Sequence, residues 1–552
     1  MRSGSVDTKA LLSAVVFLVA IVAALGFRLP MLGERPMHTD EAIHGIKLGM
    51  LMEEGTWKYD PADYHGPAQP YLTLPLTWIT GKHRAADLDE VFLRLVPVAF
   101  GIALIPFSFL LLDGLKPLPL SFAALFLAVS PMFVYFSRYY IMEIVLVFFC
   151  LTAIGCGWRY YVSRSRPWLI GLGVSLGMMH ATKETCIIHY FAMAAAVAGC
   201  LLIDLFRSGT GSMFLDRVKR KPITRAVLLP VALSALGASL LFFTSFFTDW
   251  SGPLNSILTY QTYLGRAGGG GHEKPWFYYL ELLWWKRLDP FLWSEAGIYV
   301  LASIGALTAL LQKPERNESL NLRRFLSLYL LVIGVVYSLI SYKTPWTIMG
   351  FHHAAILLAG SGAVSLITFP RSNGMRAFWV VAVLAMCGHL GLQSFRANFR
   401  YAANDARNPY VYSHTSTAFL KLVERLHDLA KLRERSGGPP LVVQVIHPEA
   451  AWPLPWYFRD QESIGYHEPP DDPADPAKMK KLESDLADAD VIITDIPIGE
   501  HLSADLRQRY TEDGPHSLRP DSWLTVLIRN ELWQAFIESR STDAPAPGAG
   551  DE

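Results

Sequence analysis

Apolar runs recur along the first four hundred residues, separated by short polar breaks. They lie near 10–27, 91–112, 118–136, 140–158, 167–180, 185–205, 226–247, 293–312, 325–341, 347–368 and 376–394. A helix needs about 20 apolar residues to cross a hydrocarbon core, so the pattern predicts about eleven spans. The first run follows Arg2 and Lys9 and contains a weak cleavage site at Ala24-Leu25-Gly26. It is long enough to span and polar motifs follow it closely, so an uncleaved first helix is expected. Beyond residue 395 the pattern changes. Short apolar runs at 441–446, 491–494 and 524–528 read as strands, and a periodic segment at 417–432 reads as a helix capped by Thr415 or Ser416. The expected fold is a polytopic α-helical membrane protein with a small C-terminal α/β domain. Its membrane module covers 1–394 with large loops at 28–90 and 248–292, the α/β domain covers 395–540, and a Pro/Ala/Gly/Asp-rich disordered tail covers 541–552. No internal repeat is visible.

Charge sets the expected orientation. With the N-terminus cytoplasmic, the inner loops carry Lys116; Arg159, Arg164 and Arg166; Arg207, Arg217, Lys219, Arg220, Lys221 and Arg225; Lys313, Arg316, Arg323 and Arg324; Arg371 and Arg376. This obeys the positive-inside rule at every inner loop. The two large loops and the C-terminal domain then face away from the cytoplasm, in a multi-pass protein of the inner or plasma membrane.

Composition adds limits. The 552 residues are 51% hydrophobic and 12% aromatic, with 15 Trp, which suits interfacial anchoring. Formal net charge is +0, so no bulk electrostatic argument favours nucleic acid. The cysteines Cys150, Cys156, Cys186, Cys200 and Cys387 lie in or beside apolar spans, with neither a disulfide framework nor zinc spacing.

The chemistry-bearing motifs all fall on the outer side. Thr39 can cap a helix whose first turn holds Asp40 and Glu41, where the helix dipole favours carboxylates. His44 and Lys47 follow at i+4 and i+7 from Asp40. His38 and the Tyr64-His65-Gly66-Pro67 motif lie nearby in sequence. Arg138 and Glu143 bracket a tight outer turn, either as an ion pair or as functional groups entering a span. Lys183-Glu184 interrupts an apolar hairpin, as a self-satisfied salt bridge or as a phosphate-binding cation held by its neighbour. The glycine run 268–271, read as a mobile hinge, precedes His272-Glu273-Lys274. Trp276, Tyr278, Tyr279, Trp284 and Trp285 form an aromatic belt or a sugar or lipid platform. Ser341-Tyr342-Lys343-Thr344-Pro345-Trp346 breaks two spans and offers a second cation, Lys343, which could equally snorkel. His352 and His353 sit within the next span, one of them as a hydrogen-bonded packing residue. No cofactor is required by these motifs. A divalent metal is left open, since His38, Asp40, Glu41, His44, His65, His180, Glu184, His272 and Glu273 have suitable donors but no strict ligand spacing.

An acidic pair in the first outer loop, a further acid at an outer turn, outward lysines and an outer C-terminal domain resemble the GT-C glycosyltransferases, in the group of protein O-mannosyltransferases and aminoarabinose transferases. Thr39-Asp40-Glu41-Ala42, Ser341-Tyr342-Lys343-Thr344-Pro345-Trp346 and Trp452-Pro453-Leu454-Pro455-Trp456-Tyr457 are most similar to the flippase-activity-associated membrane protein branch. The resemblance implies a GT-C-like fold and transfer of a sugar, hexosyl or pentosyl, from a polyprenyl-phosphate donor to a lipid, glycan or protein acceptor, with inversion. It implies Asp40 as general base, Glu41 as orienting group, Glu143 as a second acid, and Lys183 and Lys343 facing the donor phosphate. His44, His65, Arg138, Glu184, His272 and Trp346 complete the expected substrate-binding set. Two rival readings stand beside it. A lipid-linked-sugar flippase or accessory would bind donor without transfer, and a scaffold would present the outer domain to a partner.

Overall fold

The computed structural model describes residues 8–62, 65–208, 224–267, 271–311, 318–449 and 451–542. Tyr64, most of the glycine run, the basic stretches 209–223 and 312–317, and the tail from 543 lie outside the described residues. The chain forms two compact units. One comprises Met1–Gly33, Met50–Arg84 and Leu88–Tyr412; the other comprises Glu34–Gly49, Ala85–Asp87 and Ser413–Glu552.

The first unit is a multi-pass helical membrane body. Among the described residues, eight helices, running from Thr8–Arg28 to Asn373–Arg400, are long and apolar enough to cross a bilayer. The remaining predicted spans fall on shorter helices, Pro117–Val129, Pro167–Thr182 and Ala296–Leu311. Within lipid, helices gain little hydrophobic drive from each other, so close backbone approach through small residues matters. Pro167–Thr182 packs on Arg225–Phe243 through Gly173 and Gly177, where an added Cβ would meet Ser234 Oγ at 2.0 Å and Ala235 O at 2.3 Å. Ala296–Leu311 and Met349–Thr368 do the same reciprocally. A Cβ at Gly305 would lie 2.3 Å from Leu358 O, and one at Gly362 would lie 1.8 Å from Leu301 O.

Two buried polar centres in this body, around Arg28 and Glu295, are closely matched. Arg28, with no exposure, donates to Ser137 Oγ at 3.0 Å and to the carbonyls of Leu127 and Ala128 at 2.9 and 3.1 Å. It thereby supplies donors to the last turn of Pro117–Val129, whose carbonyls have no helical partner. Glu295 accepts from Ser130 Oγ at 2.6 Å and His352 Nε2 at 2.9 Å on one oxygen, and from Met132 N at 3.2 Å and Tyr410 OH at 2.9 Å on the other. The second nitrogen of His352 meets Tyr299 OH at 2.6 Å. His352 is therefore the hydrogen-bonded packing histidine of the pair.

The second unit is built on a five-stranded sheet. A short hairpin in the first unit supplies β1 (Lys286–Leu288) and β2 (Phe291–Trp293). The sheet itself comprises β3 (Val443–Ile446), β4 (Ile464–His467), β5 (Val491–Asp495), β6 (Tyr510–Arg519) and β7 (Ser522–Arg529), in the order β4-β3-β5-β7-β6. The β4-β3-β5 portion is parallel, and β7 and β6 add antiparallel. Strand side chains alternate faces, and both faces are used. Val491 and Ile493 join a core with Phe419, Leu422, Leu426 and Phe536, while Ile492 joins another with Met479, Leu482 and Ile498. The predicted helix is Phe419–Arg435, which starts two residues later than expected.

Candidate active site

The acid pair lies where the sequence places it, in the first turn of the helix Thr39–Glu54. The two carboxylates differ in environment. Glu41 has no exposure, lies 3.8 Å from the Arg35 guanidinium and accepts from His38 N at 3.0 Å. Its carboxylate is thus fully buried and engaged within its own loop. Asp40 retains 29% side-chain exposure. Its amide donates to His38 Nδ1 at 3.1 Å, so that nitrogen carries no proton and the proton of a neutral His38 sits on Nε2. His44, one turn on in the same helix, is buried at 1% exposure. The Trp452–Tyr457 motif contributes here: Met37 N donates to Tyr457 OH at 3.0 Å.

In the membrane body, Lys183 and Glu184 part company. Lys183 is extended at the end of Pro167–Thr182, so successive side chains point in opposite directions. Lys183 Nζ pairs with Glu143 Oε1, both side chains being buried. Of the two readings of this motif, both of which had Lys183 beside Glu184, neither holds in that form: Lys183 takes a longer-range partner, Glu143. Glu143 occupies the first turn of Glu143–Ser163, where the helix dipole supports a carboxylate. Beside the pair, Thr185, His189, Trp346 and Gly350 line a cavity of about 10 Å³, the room of one water.

Glu184 turns to the loop that follows the helix Thr39–Glu54. It accepts from Tyr59 OH at 3.0 Å and pairs with His65 Nδ1 at 3.1 Å, and Tyr263 OH meets the same His65 nitrogen at 3.0 Å. Burial alone would raise the Glu184 pKa, but the hydrogen bond and charge of His65, a backbone amide and Tyr263 hold it down at about 2. Gly66 lets the loop approach, since a Cβ there would lie 2.1 Å from Ala181 O. The helix Gly252–Ala267 holds the loop from the other side, with Asn255 Nδ2 on Tyr59 O at 3.0 Å and Thr259 Oγ1 on Pro61 O at 3.2 Å.

The break around Lys343 forms a third group. Lys274 N donates to Ser341 O at 3.0 Å and Lys343 N to His272 O at 3.1 Å, closing an antiparallel bridge between Glu273 and Tyr342. The Lys343 ammonium donates to Ile340 O and to Lys274 O. It thus serves the carbonyl end of Glu318–Leu339, a favourable place for a cation, and burial lowers its pKa. His272 Nδ1 hydrogen-bonds with Tyr412 OH. Trp346 packs edge-on against Phe136 and Tyr412, at 5.8 Å in each case, as a buried wall residue. Arg138 donates to Phe27 O at 2.9 Å and Met31 O at 3.1 Å, tying down the end of the first span. Among the described residues, no three or more His, Cys, Asp or Glu side chains gather as a metal-ligand group.

Residues 71–221 match the family model "Dolichyl-phosphate-mannose-protein mannosyltransferase". Glu143, Lys183 and Glu184 lie inside that stretch and Asp40 precedes it. The structure is similar over 96% of this chain and 98% of the other to ArnT from Cupriavidus metallidurans bound to undecaprenyl phosphate, at 14% identity and a TM-score of 0.56. The chain has the GT-C fold. The same GT-C fold relates it to the Archaeoglobus fulgidus oligosaccharyltransferase AglB in complex with an inhibitory peptide and a dolichol-phosphate, at 12% identity and a TM-score of 0.52, over 97% of this chain and 78% of that one. No curated protein matches the chain. Two features of this chain escaped the sequence reading. Glu295 was hidden within a predicted span although an acid heading an apolar run is itself a signal. Arg28 at the end of the first run was a second such signal.

Proposed function

We propose that this chain is a membrane glycosyltransferase that moves a sugar from a polyprenyl-phosphate-linked donor to an extracytoplasmic acceptor, with Asp40 as general base. The observation that carries the reading is a GT-C fold spanning nearly the whole chain, with a partly exposed carboxylate at the head of the first outer helix. The donor class follows from the neighbours, one bound to undecaprenyl phosphate and one to a dolichol-phosphate. The segregation of Arg and Lys among the loops supports a cytoplasmic N-terminus and an outer C-terminal domain.

In the proposed reaction, Asp40 accepts the proton of an acceptor hydroxyl or amine as that group attacks the anomeric carbon. The new glycosidic bond forms on the opposite face from the breaking bond to phosphate, so a hexosyl or pentosyl group is transferred with inversion, and polyprenyl phosphate leaves. A developing phosphate charge needs cations. We assign Lys183 and Lys343 to it. Both are engaged by protein oxygens, so donor binding exchanges Glu143 and the Ile340 carbonyl for phosphate oxygens. Glu41 holds the head of the Asp40 helix.

The test is sugar transfer by wild type and Asp40→Asn in lipid, with a panel of polyprenyl-phosphate sugars and lipid, glycan and protein acceptors, with and without chelator. Turnover by wild type alone supports the base assignment, and the chelator arm decides metal dependence. Turnover retained by Asp40→Asn removes Asp40 from that role. Donor binding without turnover by wild type across the whole panel favours the flippase-accessory reading.

A further inference from the structure

Three hydrogen bonds from the C-terminal sequence converge on residues 37–39, immediately before the proposed base, all within the second unit. Tyr457 OH accepts from Met37 N at 3.0 Å, and Thr415 Oγ1 donates to Met37 O at 2.7 Å. Arg519 Nη2 donates to Thr39 Oγ1 at 3.0 Å. Arg519 is itself fixed. It ends β6 where that strand turns into β7, its Nη2 also reaches Trp452 O at 3.2 Å, and its Nη1 pairs with Glu449 Oε2 at 3.2 Å. Its side chain is 19% exposed.

These contacts address the part of the helix that propensity leaves weakest. The first-turn amides of a helix have no helical partners, and the residue before the turn sets the entry angle of the chain. Thr39 is the first residue of that turn, directly after the entry residue His38, and its hydroxyl oxygen is engaged by a planar guanidinium 480 positions away in sequence. A guanidinium fixed by two further oxygens transmits the position of the β6–β7 turn to Thr39, and through one peptide to Asp40. Lysine would keep a charge but lose the fork that reaches several oxygens at once.

We propose that Arg519 is a positioning residue for the Asp40 helix, and that the C-terminal α/β domain, through Arg519 and Tyr457, completes the acid centre. The proposal rests on the reading of Asp40 as base. It gives the domain a role in the chemical step in addition to any in acceptor recognition.

The experiment uses the full chain in lipid, as wild type, Arg519→Gln, Arg519→Lys, Tyr457→Phe and Arg425→Gln. The last breaks the Arg425–Asp513 pair elsewhere in the same domain and controls for general loosening. Two readouts are taken: amide hydrogen exchange over residues 37–44, and kcat and KM for donor and acceptor. Arg519→Gln is expected to speed exchange at 37–41 while β5 stays protected. It is expected to lower kcat by roughly 100-fold, the scale of an ångström-level misplacement, with donor KM within about twofold. Tyr457→Phe shows the same pattern more weakly, Arg519→Lys recovers part of kcat, and Arg425→Gln changes neither readout. Unchanged exchange at 37–41 in Arg519→Gln overturns the proposal, as does an equal loss in Arg425→Gln. Should Asp40→Asn itself retain turnover, the base reading falls on that result alone, while the exchange data still decide whether Arg519 holds the helix.

Discussion

Lys183 and Glu143 offer a direct measurement of a buried ion pair at the ends of two membrane-body helices. Their side chains are 7% and 6% exposed, so solvent screening takes little from the interaction. Removing one partner of such a pair strands a charge and costs about 3–5 kcal/mol, whereas removing both is often close to neutral. Lys183→Met and Glu143→Gln are therefore each expected to destabilise by about 3 kcal/mol, and the double variant by less than either single one. The coupling, at least about 3 kcal/mol in magnitude, is read from a double-mutant cycle of unfolding in mixed micelles. The proposed phosphate exchange adds a second arm. Saturating polyprenyl phosphate raises wild-type stability and leaves Lys183→Met unmoved. Additivity within about 0.5 kcal/mol refutes the pair as a stabilising unit. Equal stabilisation of wild type and Lys183→Met by the lipid refutes Lys183 as a phosphate ligand.

Acid should loosen the loop that carries Tyr59 and His65. The pKa of Glu184 is depressed, so its contribution to stability is complete above the unfolded carboxylate value of 4.5 and is lost as pH falls toward 2. Tyr59→Phe should lessen that acid sensitivity, as followed by thermal unfolding between those limits. Gly66→Ala is expected to cost about 1–3 kcal/mol, because its Cβ would press on the Ala181 carbonyl at 2.1 Å and push His65 from Glu184; an unchanged melting temperature would refute the contact. Glu295→Ala should destabilise by about 3 kcal/mol or more, since His352, Ser130, Tyr410 and Met132 N lose their acceptor. A loss below about 1 kcal/mol would show those donors finding water or other partners.

The membrane body was legible because a span needs a long apolar run, and each expected run falls on a helix. In the C-terminal unit, legibility followed position in the sheet. The three runs anticipated as strands became β3, β5 and β7, which occupy the interior of the order β4-β3-β5-β7-β6. The two unanticipated strands, β4 and β6, are its edges. An edge strand needs fewer apolar residues, and β6 tolerates Gly514 and Pro515 in mid-strand. At the candidate site, Asp40 and Glu41 could be placed in a first helical turn from local signals, but their unequal exposure could not. The partners of Lys183 and Glu184 were also illegible. Sequence adjacency suggested a pair, while the extended backbone at Lys183 sends the two side chains to partners 40 and 119 or more positions away.

That two-residue break also has a consequence for biogenesis. Tyr59 waits 125 positions for Glu184, and His65 waits 198 positions for Tyr263. At a synthesis rate of roughly 5–20 residues per second, the loop that carries Tyr59 and His65 spends on the order of ten seconds without its anchors after leaving the ribosome. During that interval its polar groups are open to membrane proteases and insertion factors. Defects at Glu184 or Tyr263 should therefore appear first as lowered amounts of protein in the membrane, before any change in the turnover of the molecules that mature.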